Sequence, residues 1–251
     1  MKTFHDFFSL LKLGVISLSI IFLVSMVISD SHAQGARSLQ QFLDLDAGIG
    51  KSEGSVVLSY NINKSLGKKK RIVLGLGARY NGYLGKNQYF VTAPAALTSG
   101  STGPGVLFKE NIAANMDTFL IKSAQVNSIN LLVTLGFNVS ERLMLHFNID
   151  AIGFSFGSST RGNYINGVQG KMESAKPTSL NLLLVSDNDK GSLNSELFAR
   201  YLIGEKWGIK GGVQFFFSEY TTDTELQQFP EPNDRFRNKS LMFSAGVSYK
   251  L

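Results

Sequence analysis

The chain has 251 residues and a formal net charge of +6, with 25 Lys and Arg against 19 Asp and Glu. It contains no cysteine, which excludes disulfides, thiolate metal sites and the lipid-modified thiol of a bacterial lipoprotein. The 25 Gly, 19 Phe and 8 Tyr, with only 5 Pro, favour strands and turns over helices. All-β domains of this size often fold as a single unit.

The first 33 residues have the organisation of a secretory signal peptide. Lysines precede an apolar run over residues 13–28, and the small residues Ser31 and Ala33 lie just ahead of a cleavage site after Ala33. A retained membrane anchor is the alternative, but the 16 residues of this run fall short of the roughly 20 that a spanning helix needs. We therefore expect a signal peptide over 1–33 and one mature domain over 34–251.

Eight segments of the mature domain alternate between apolar and polar residues. Because successive side chains of a strand point to opposite sides of a sheet, this alternation predicts strands with one apolar and one polar face. In this scheme Ala151 and Leu193 belong to apolar faces, whereas Ile152 belongs to a polar face. The predicted strands span residues 43–49, 56–62, 72–81, 129–139, 143–153, 193–203, 207–218 and 240–251.

A dense basic cluster lies between the second and third predicted strands. It contains no aromatic residue that could stack on a base, which argues against a nucleic-acid partner. A solvated turn, touching anionic lipid headgroups, is the favoured interpretation. The cluster consists of Lys64, Lys68, Lys69, Lys70 and Arg71.

The links between the predicted strands alternate in length. From the second link onward, tight turns alternate with long loops, and an even number of strands returns both ends of the domain to one side. This asymmetry is typical of outer-membrane barrels and has no reason to occur in a soluble sandwich. The links cover residues 63–71, 82–125, 140–142, 157–191, 204–206 and 221–236.

The polar faces carry charges of both signs, which could pair inside a closed lumen. Apolar-face aromatics near the strand ends, such as Trp207 and Tyr80, suit a membrane interface. We therefore predict an all-β, closed, antiparallel, up-and-down transmembrane barrel of eight strands, or of ten if segments 118–124 and 178–186 add a pair. The expected lumen network comprises Asp44, Asp46, Arg79, His146, Asp150, Glu196, Arg200 and Lys210.

The mature domain resembles the outer-membrane β-barrel domain proteins of the Bacteroidetes type, which are small porin-like or OmpA-like barrels. The resemblance rests on the signal peptide, the alternating strands, the stretch 206–212 after a tight turn, and the final strand over 243–251. It implies that the last strand is the signal for the barrel-assembly machinery, although the chain has Leu251 where Phe is commoner. The residues of this signal are Phe243, Val247, Tyr249 and Leu251.

Catalytic and metal-binding alternatives are weak. His146 and Asp150 share one strand face, but residues four apart along a strand are about 13 Å from each other, so with Ser155 they form no ready triad. Asp44 and Asp46, about 7 Å apart on one face, could bridge a metal, but pairing with lumen cations is favoured. A solvated loop is likewise favoured over a calcium site for Asp223, Glu225, Glu231 and Asp234.

The sequence therefore predicts a non-enzymatic protein of the bacterial outer membrane, with no cofactor and no metal site. Its expected role is structural or surface-binding, through long outward loops. Expected partners are outer-membrane lipids, the barrel-assembly machinery and an unidentified surface ligand. The alternatives are a narrow channel for small solutes, a barrel-type lipid-modifying enzyme, and a secreted carrier whose apolar face would line the interior.

Overall fold

The computed structural model describes residues 39–165, 170–184 and 188–251. The predicted signal peptide, with its cleavage site after Ala33, lies outside these residues. Within them there is one short helix, α1 (Ala95–Ser99), and there are 3-10 turns at Pro104–Phe108 and Ala113–Asn115. No helix in the described ranges is both long and apolar enough to cross a membrane. The described strands are β1 (Leu39–Ile49), β2 (Glu53–Leu66), β3 (Ile72–Thr92), β4 (Thr118–Asn138), β5 (Leu143–Phe156), β6 (Thr160–Tyr164), β7 (Lys171–Pro177), β8 (Leu180–Leu182), β9 (Leu193–Leu202), β10 (Trp207–Thr222) and β11 (Arg235–Lys250).

Eight long strands close into an antiparallel ring in the order β1–β2–β3–β4–β5–β9–β10–β11. The ring closes where β11 pairs with β1, from Phe42↔Lys250 to Ile49↔Phe243. The predicted eight-stranded barrel is thereby confirmed, and the alternative of ten strands is not realised in this ring. We call the end with the tight turns at 67–71, 139–142 and 203–206 the turn side, and the opposite end the loop side.

A second ring stands on the loop side of the first. Here β3, β4, β10 and β11 continue beyond the other strands, and β6 and β7 fill the gap between β4 and β10. Pairing of Phe236 with Thr92 joins β11 to β3 and closes this six-stranded ring. We call it the cap, which comprises residues 88–92, 118–121, 160–164, 171–177, 219–222 and 235–237 with the connections 93–117 and 223–234.

The outer surface of the eight-stranded ring is an apolar belt. Every strand of the ring exposes at least two large apolar side chains, and a continuous patch of this size is not tolerated on a soluble monomer. A closed barrel with such a belt is built to span an outer membrane, because closure leaves no unpaired backbone edge in lipid. The belt includes Leu43, Leu45, Val56, Leu58, Ile72, Tyr80, Ile129, Leu131, Leu135, Leu145, Phe147, Leu197, Tyr201, Trp207, Ile209, Phe215, Leu241, Phe243 and Val247.

This orientation rejects the secreted-carrier alternative, which required the apolar faces to line the interior. The eight side chains of the predicted lumen network are instead buried inside the ring. The predicted assembly-signal residues Phe243 and Val247 are exposed on the outside of the closing strand, and the exposed Leu251 follows directly after it. The ring of Tyr249 packs edge-on against Trp207, with centroids 4.9 Å apart.

Three predicted face assignments are wrong. The register of β4 and β5 shifts by one residue between Leu131 and Leu132. Leu131 pairs with Ile152, whereas Leu132 pairs with Asp150. This bulge reverses the alternation of β5, and it buries Ala151 while exposing Ile152. Leu193, expected on the lipid-facing surface, is instead buried at the loop-side end of β9.

The predicted third link, 82–125, is also too long, since β3 and β4 both run into the cap and leave a loop of only 93–117. The inward-facing positions change phase where the two rings meet. In β3 they pass from Gly85 to Gln88, and the intervening Asn87 has a left-handed φ of 51°. Segment 118–124 therefore extends β4, whereas segment 178–186 contributes only β8, which pairs with β5.

Candidate functional site

The polar lumen of the eight-stranded ring contains every residue of the predicted network. All eight side chains are buried. They come from five strands, because inward-facing positions at matching heights meet across a ring of this width. Seven of the eight are joined by ion pairs, and His146 lies beside them.

Arg200 is the centre of the part of the network nearest the turn side. Its Nη2 atom lies 2.6 Å from Oδ2 of Asp44, and its Nε donates to Oγ of Ser248 at 2.8 Å. The Ser248 hydroxyl donates in turn to Asp44 at 2.5 Å. The guanidinium also stands over the ring of Phe42, 3.9 Å from the centroid. A buried, charge-assisted arrangement of this kind holds the arginine in one position.

Lys210 links three carboxylates. Its Nζ atom lies 2.6 Å from Asp46, 3.3 Å from Glu196 and 3.7 Å from Asp44. Asp46 and Lys210 are on different strands, and each is directly opposite Gly246 of the strand between them. A methyl group on Gly246 would overlap the Asp46 carboxylate, so this glycine leaves the space through which the lysine reaches the acid.

Arg79 completes the network towards the loop side. It pairs with Asp150 at 3.1 Å and with Glu196 at 3.7 Å, and it donates to the backbone carbonyl of Asn194 at 3.0 Å. The side-chain amide of Asn130 donates to Asp150 at 2.7 Å. All four carboxylates of the network thus have a cationic partner, which is the arrangement of a filled interior.

His146 packs against an aromatic side chain and lies beside an arginine. Its ring lies edge-on to Phe198, with centroids 5.7 Å apart, and its Nδ1 is 3.5 Å from a nitrogen of Arg200. Asp150 instead pairs with Arg79, and the hydroxyl of Ser155 donates to Asn181. The three residues therefore do not form a nucleophile–base–acid chain. Within the described residues, no group of three or more His, Asp or Glu side chains is arranged to hold a metal ion.

Apolar layers lie on both sides of the charged layer. On the turn side, Phe42, Met144 and Leu202 form a buried cluster. On the loop side, Tyr83 and Phe216 stack across the interior, with ring centroids 4.9 Å apart and an interplanar angle of 5°. Alternation did not single these residues out, because they occupy the face that is polar elsewhere on the same strands.

The apolar layer of Tyr83 and Phe216 continues into the cap. Phe90 and Tyr220 meet edge-on at 5.1 Å, and Phe119 lies 5.6 Å from Phe236. The hydroxyl of Tyr220 donates to the backbone carbonyl of Gln125 at 2.8 Å, and burial raises the pKa of Tyr220 to about 12. The cap thus has an aromatic core of its own, and this core is continuous with the upper part of the lumen.

A second buried ion cluster supports the cap from outside its core. Glu219 accepts from Arg237 at 2.7 Å and from Arg235 at 2.8 Å. Arg237 also donates to the backbone carbonyl of Asp189, which belongs to the segment that covers the cluster. Burial by itself raises the pKa of Glu219, but the two arginines outweigh it and hold the pKa below its ordinary value of 4.5. Glu219 was not predicted, since its position alternates with the cap core and should be exposed.

No known protein-family model matches the chain, and no curated protein matches it. Among solved structures, it is similar to Neisserial surface protein A, at 11% identity and a TM-score of 0.36, with 85% of this chain and 96% of that chain covered. It is also similar to the attachment invasion locus protein of Yersinia pestis, at 8% identity and a TM-score of 0.33, with 85% and 97% covered. A major outer membrane protein from Thermus thermophilus has 10% identity and a TM-score of 0.39, with 85% and 100% covered. The barrel assignment rests on the chain's own strand pairings, and the Bacteroidetes-type resemblance stays a prediction.

Proposed function

We propose that this protein is a non-enzymatic, non-conducting surface protein of the outer membrane that presents its cap to a partner outside the cell. The observation that carries this proposal is the cap itself. Segments that would otherwise be mobile loops pair into a closed six-stranded ring with an aromatic core. A preordered surface loses little conformational freedom on binding, which favours recognition.

The filled interior supports a closed lumen over the alternative of a narrow channel. A channel needs a continuous water path, and here an apolar cluster, a paired charged layer and an aromatic layer follow one another along the axis. A lipid-modifying enzyme would need a nucleophile, a base and an orienting acid in contact. His146 and Ser155, which would begin such a set, lie in separate hydrogen-bond arrangements.

The loop-side surface exposes aromatic side chains among polar ones. Phe108 is 90% exposed and Phe229 is 65% exposed, each on a connection of the cap. Large apolar side chains rimmed by polar residues mark contact sites for other macromolecules, and aromatic residues are enriched at such contacts. We therefore assign the contact surface to the cap, with a protein or surface polymer as the partner.

Two measurements on the mature protein, folded into lipid vesicles, test this proposal. In a planar bilayer we expect no steady current, and a stable ohmic conductance would replace the proposal with the channel alternative. Fluorescent vesicles that carry the wild-type protein should bind to isolated cell envelopes. Vesicles that carry the Phe108→Ser/Phe229→Ser variant should bind to the same envelopes at least fivefold less. Equal binding by the variant and the wild type would contradict the role of the cap, and so would wild-type binding no stronger than that of protein-free vesicles.

A further inference from the structure

The turn-side mouth of the barrel is a basin of about 970 Å³. Its floor is the apolar cluster that contains Met144 and Leu202, which separates it from the charged layer of the lumen. Its walls come from the three tight turns and from the end of β11. The basin lies at the opposite end of the molecule from the cap, so a site in it is independent of the function proposed for the cap.

The charge of this basin is strongly one-sided. Seven cationic side chains line it, namely the four of Lys68–Arg71 together with Arg142, Lys206 and Lys250, against the two acids Glu141 and Glu205. The ion pairs between described residues include none of these nine side chains. An excess of five positive side-chain charges therefore faces one basin. A concave site with low-dielectric walls focuses such a field.

The backbone that carries these cations is tied together around the mouth. The side-chain amide of Asn138 donates to the carbonyl of Lys70 at 3.0 Å, which joins the first turn to β4. The backbone N–H of Leu202 donates to the carbonyl of Arg142 at 2.9 Å, and that of Lys250 donates to the carbonyl of Lys206 at 2.7 Å. The turns are thus linked pairwise around the rim, so the backbone positions that carry these like charges are held together.

We infer that this basin is a binding site for anions that carry two or more phosphoryl groups. Lysine and arginine side chains that converge from separate turns can each contact a different phosphoryl oxygen. A single phosphate offers too few anionic oxygens for cations on all three turns, whereas an oligophosphate has enough to contact several of them at once. Two sources share this chemistry, the headgroups of anionic lipids in the adjacent leaflet and soluble phosphorylated compounds.

Titration calorimetry with inorganic tripolyphosphate tests the inference on the full mature protein in a neutral detergent. We expect saturable binding at one site per barrel. The turn-side variant Lys69→Glu/Arg142→Glu should bind at least tenfold more weakly, because it reverses one charge on each of two turns. The matched control Lys51→Glu/Lys109→Glu changes the net charge equally but on the loop side, and its affinity should change less than twofold.

The outcomes separate a built site from a general charge effect. Heat-modifiable electrophoresis first establishes that both variants fold. Absence of saturable binding to the wild type, or equal weakening in the two variants, overturns the inference. The source is decided in nanodiscs with and without cardiolipin, an anionic lipid whose headgroup carries two phosphates. If this lipid competes with tripolyphosphate in the wild type, the site takes headgroup phosphates, and if it does not compete, the site takes soluble anions.

Discussion

The rings of Tyr83 and Phe216 stack in parallel across the barrel interior, 4.9 Å between centroids, where the eight-stranded ring meets the cap. Tyr83 belongs to β3 and Phe216 to β10, which lie on opposite sides of the eight-stranded ring and are separated only by β11 in the six-stranded ring. Both residues are fully buried. The contact therefore joins the two rings through their interior, and it closes the lumen on the loop side.

Phe216→Ala should destabilise the protein by about 3–5 kcal/mol, the usual loss for truncating a packed aromatic side chain. Phe215→Ala is the matched control, because Phe215 is the next residue and faces outward, where lipid chains can fill the space. Denaturant unfolding in lipid vesicles measures both. Similar losses for the two variants would contradict the structural difference between these neighbouring positions.

Asp44→Asn should destabilise the barrel by about 3–5 kcal/mol, because it leaves Arg200 buried without its closest counter-charge. The double variant Asp44→Asn/Arg200→Met should recover much of this loss, since it removes the uncompensated charge as well. The same unfolding assay applies, with Asp223→Asn on the exposed loop as the control. A double variant less stable than Asp44→Asn would show that the unpaired charge of Arg200 is not the reason for the loss of stability.

The stability of the cap should depend on pH through Glu219. Because the folded protein holds the pKa of Glu219 below its ordinary value of 4.5, the ion cluster contributes its full stabilisation above pH 4.5. That contribution is lost as pH falls through the lower, folded value, where the carboxylate takes up a proton. Glu219→Gln should make the cap more susceptible to protease at pH 7, and the difference from the wild type should shrink towards pH 3.

The exposed Glu225 provides the control for this pH series. Glu225→Gln should leave the protease susceptibility of the cap unchanged at every pH, because this residue belongs to neither the core nor the ion cluster. The wild type should resist protease better than Glu219→Gln at pH 7. If this difference in protease resistance were as large at pH 3, the ionised carboxylate of Glu219 would not be its source.

The boundary between belt and cap can be located with arginine substitutions. Leu131 and Tyr89 are equally exposed, at 59% and 58%, but Leu131 lies in the belt and Tyr89 in the cap. Leu131→Arg should destabilise the barrel by about 2–4 kcal/mol, the value for a charge near the middle of a bilayer. Tyr89→Arg should change the stability in vesicles by less than about 0.5 kcal/mol, as surface substitutions do. A large loss at Tyr89 would place the cap inside the membrane.

Strict alternation determines much of the eight-stranded ring without further information. In β11, Leu241 and Phe243 face outward while Met242 and Ser244 are buried, as their order predicts. A one-residue slip would place every side chain of such a strand on the wrong face, so the pattern leaves little freedom of register. The prediction fails locally at Ile152, since the bulge that reverses β5 depends on the strand beside it.

The cap was beyond the reach of sequence patterns. Its strands β6 and β7 are short, and they gain stability only by pairing with β4 and β10, which are distant in the chain. At the joint the inward face changes phase around Asn87, so the alternation of β3 stops where the cap begins. Glu219 illustrates the consequence, because its burial depends on a covering segment that local sequence does not reveal.

By itself, therefore, the sequence determined the membrane-spanning ring. Two-residue periodicity is a local property of each strand. Because the apolar faces must contact lipid and the charged faces must pair with each other, the strands have to close into a barrel with the charges inside. Only the tertiary structure decided which charges pair, how the aromatic layer closes the lumen, and how the turns converge into a cationic basin. Those features arise from side chains that meet across a closed ring, between residues as far apart as Asp44 and Arg200. Their meeting depends on strand register and tilt around the whole ring, which no single segment of the chain specifies.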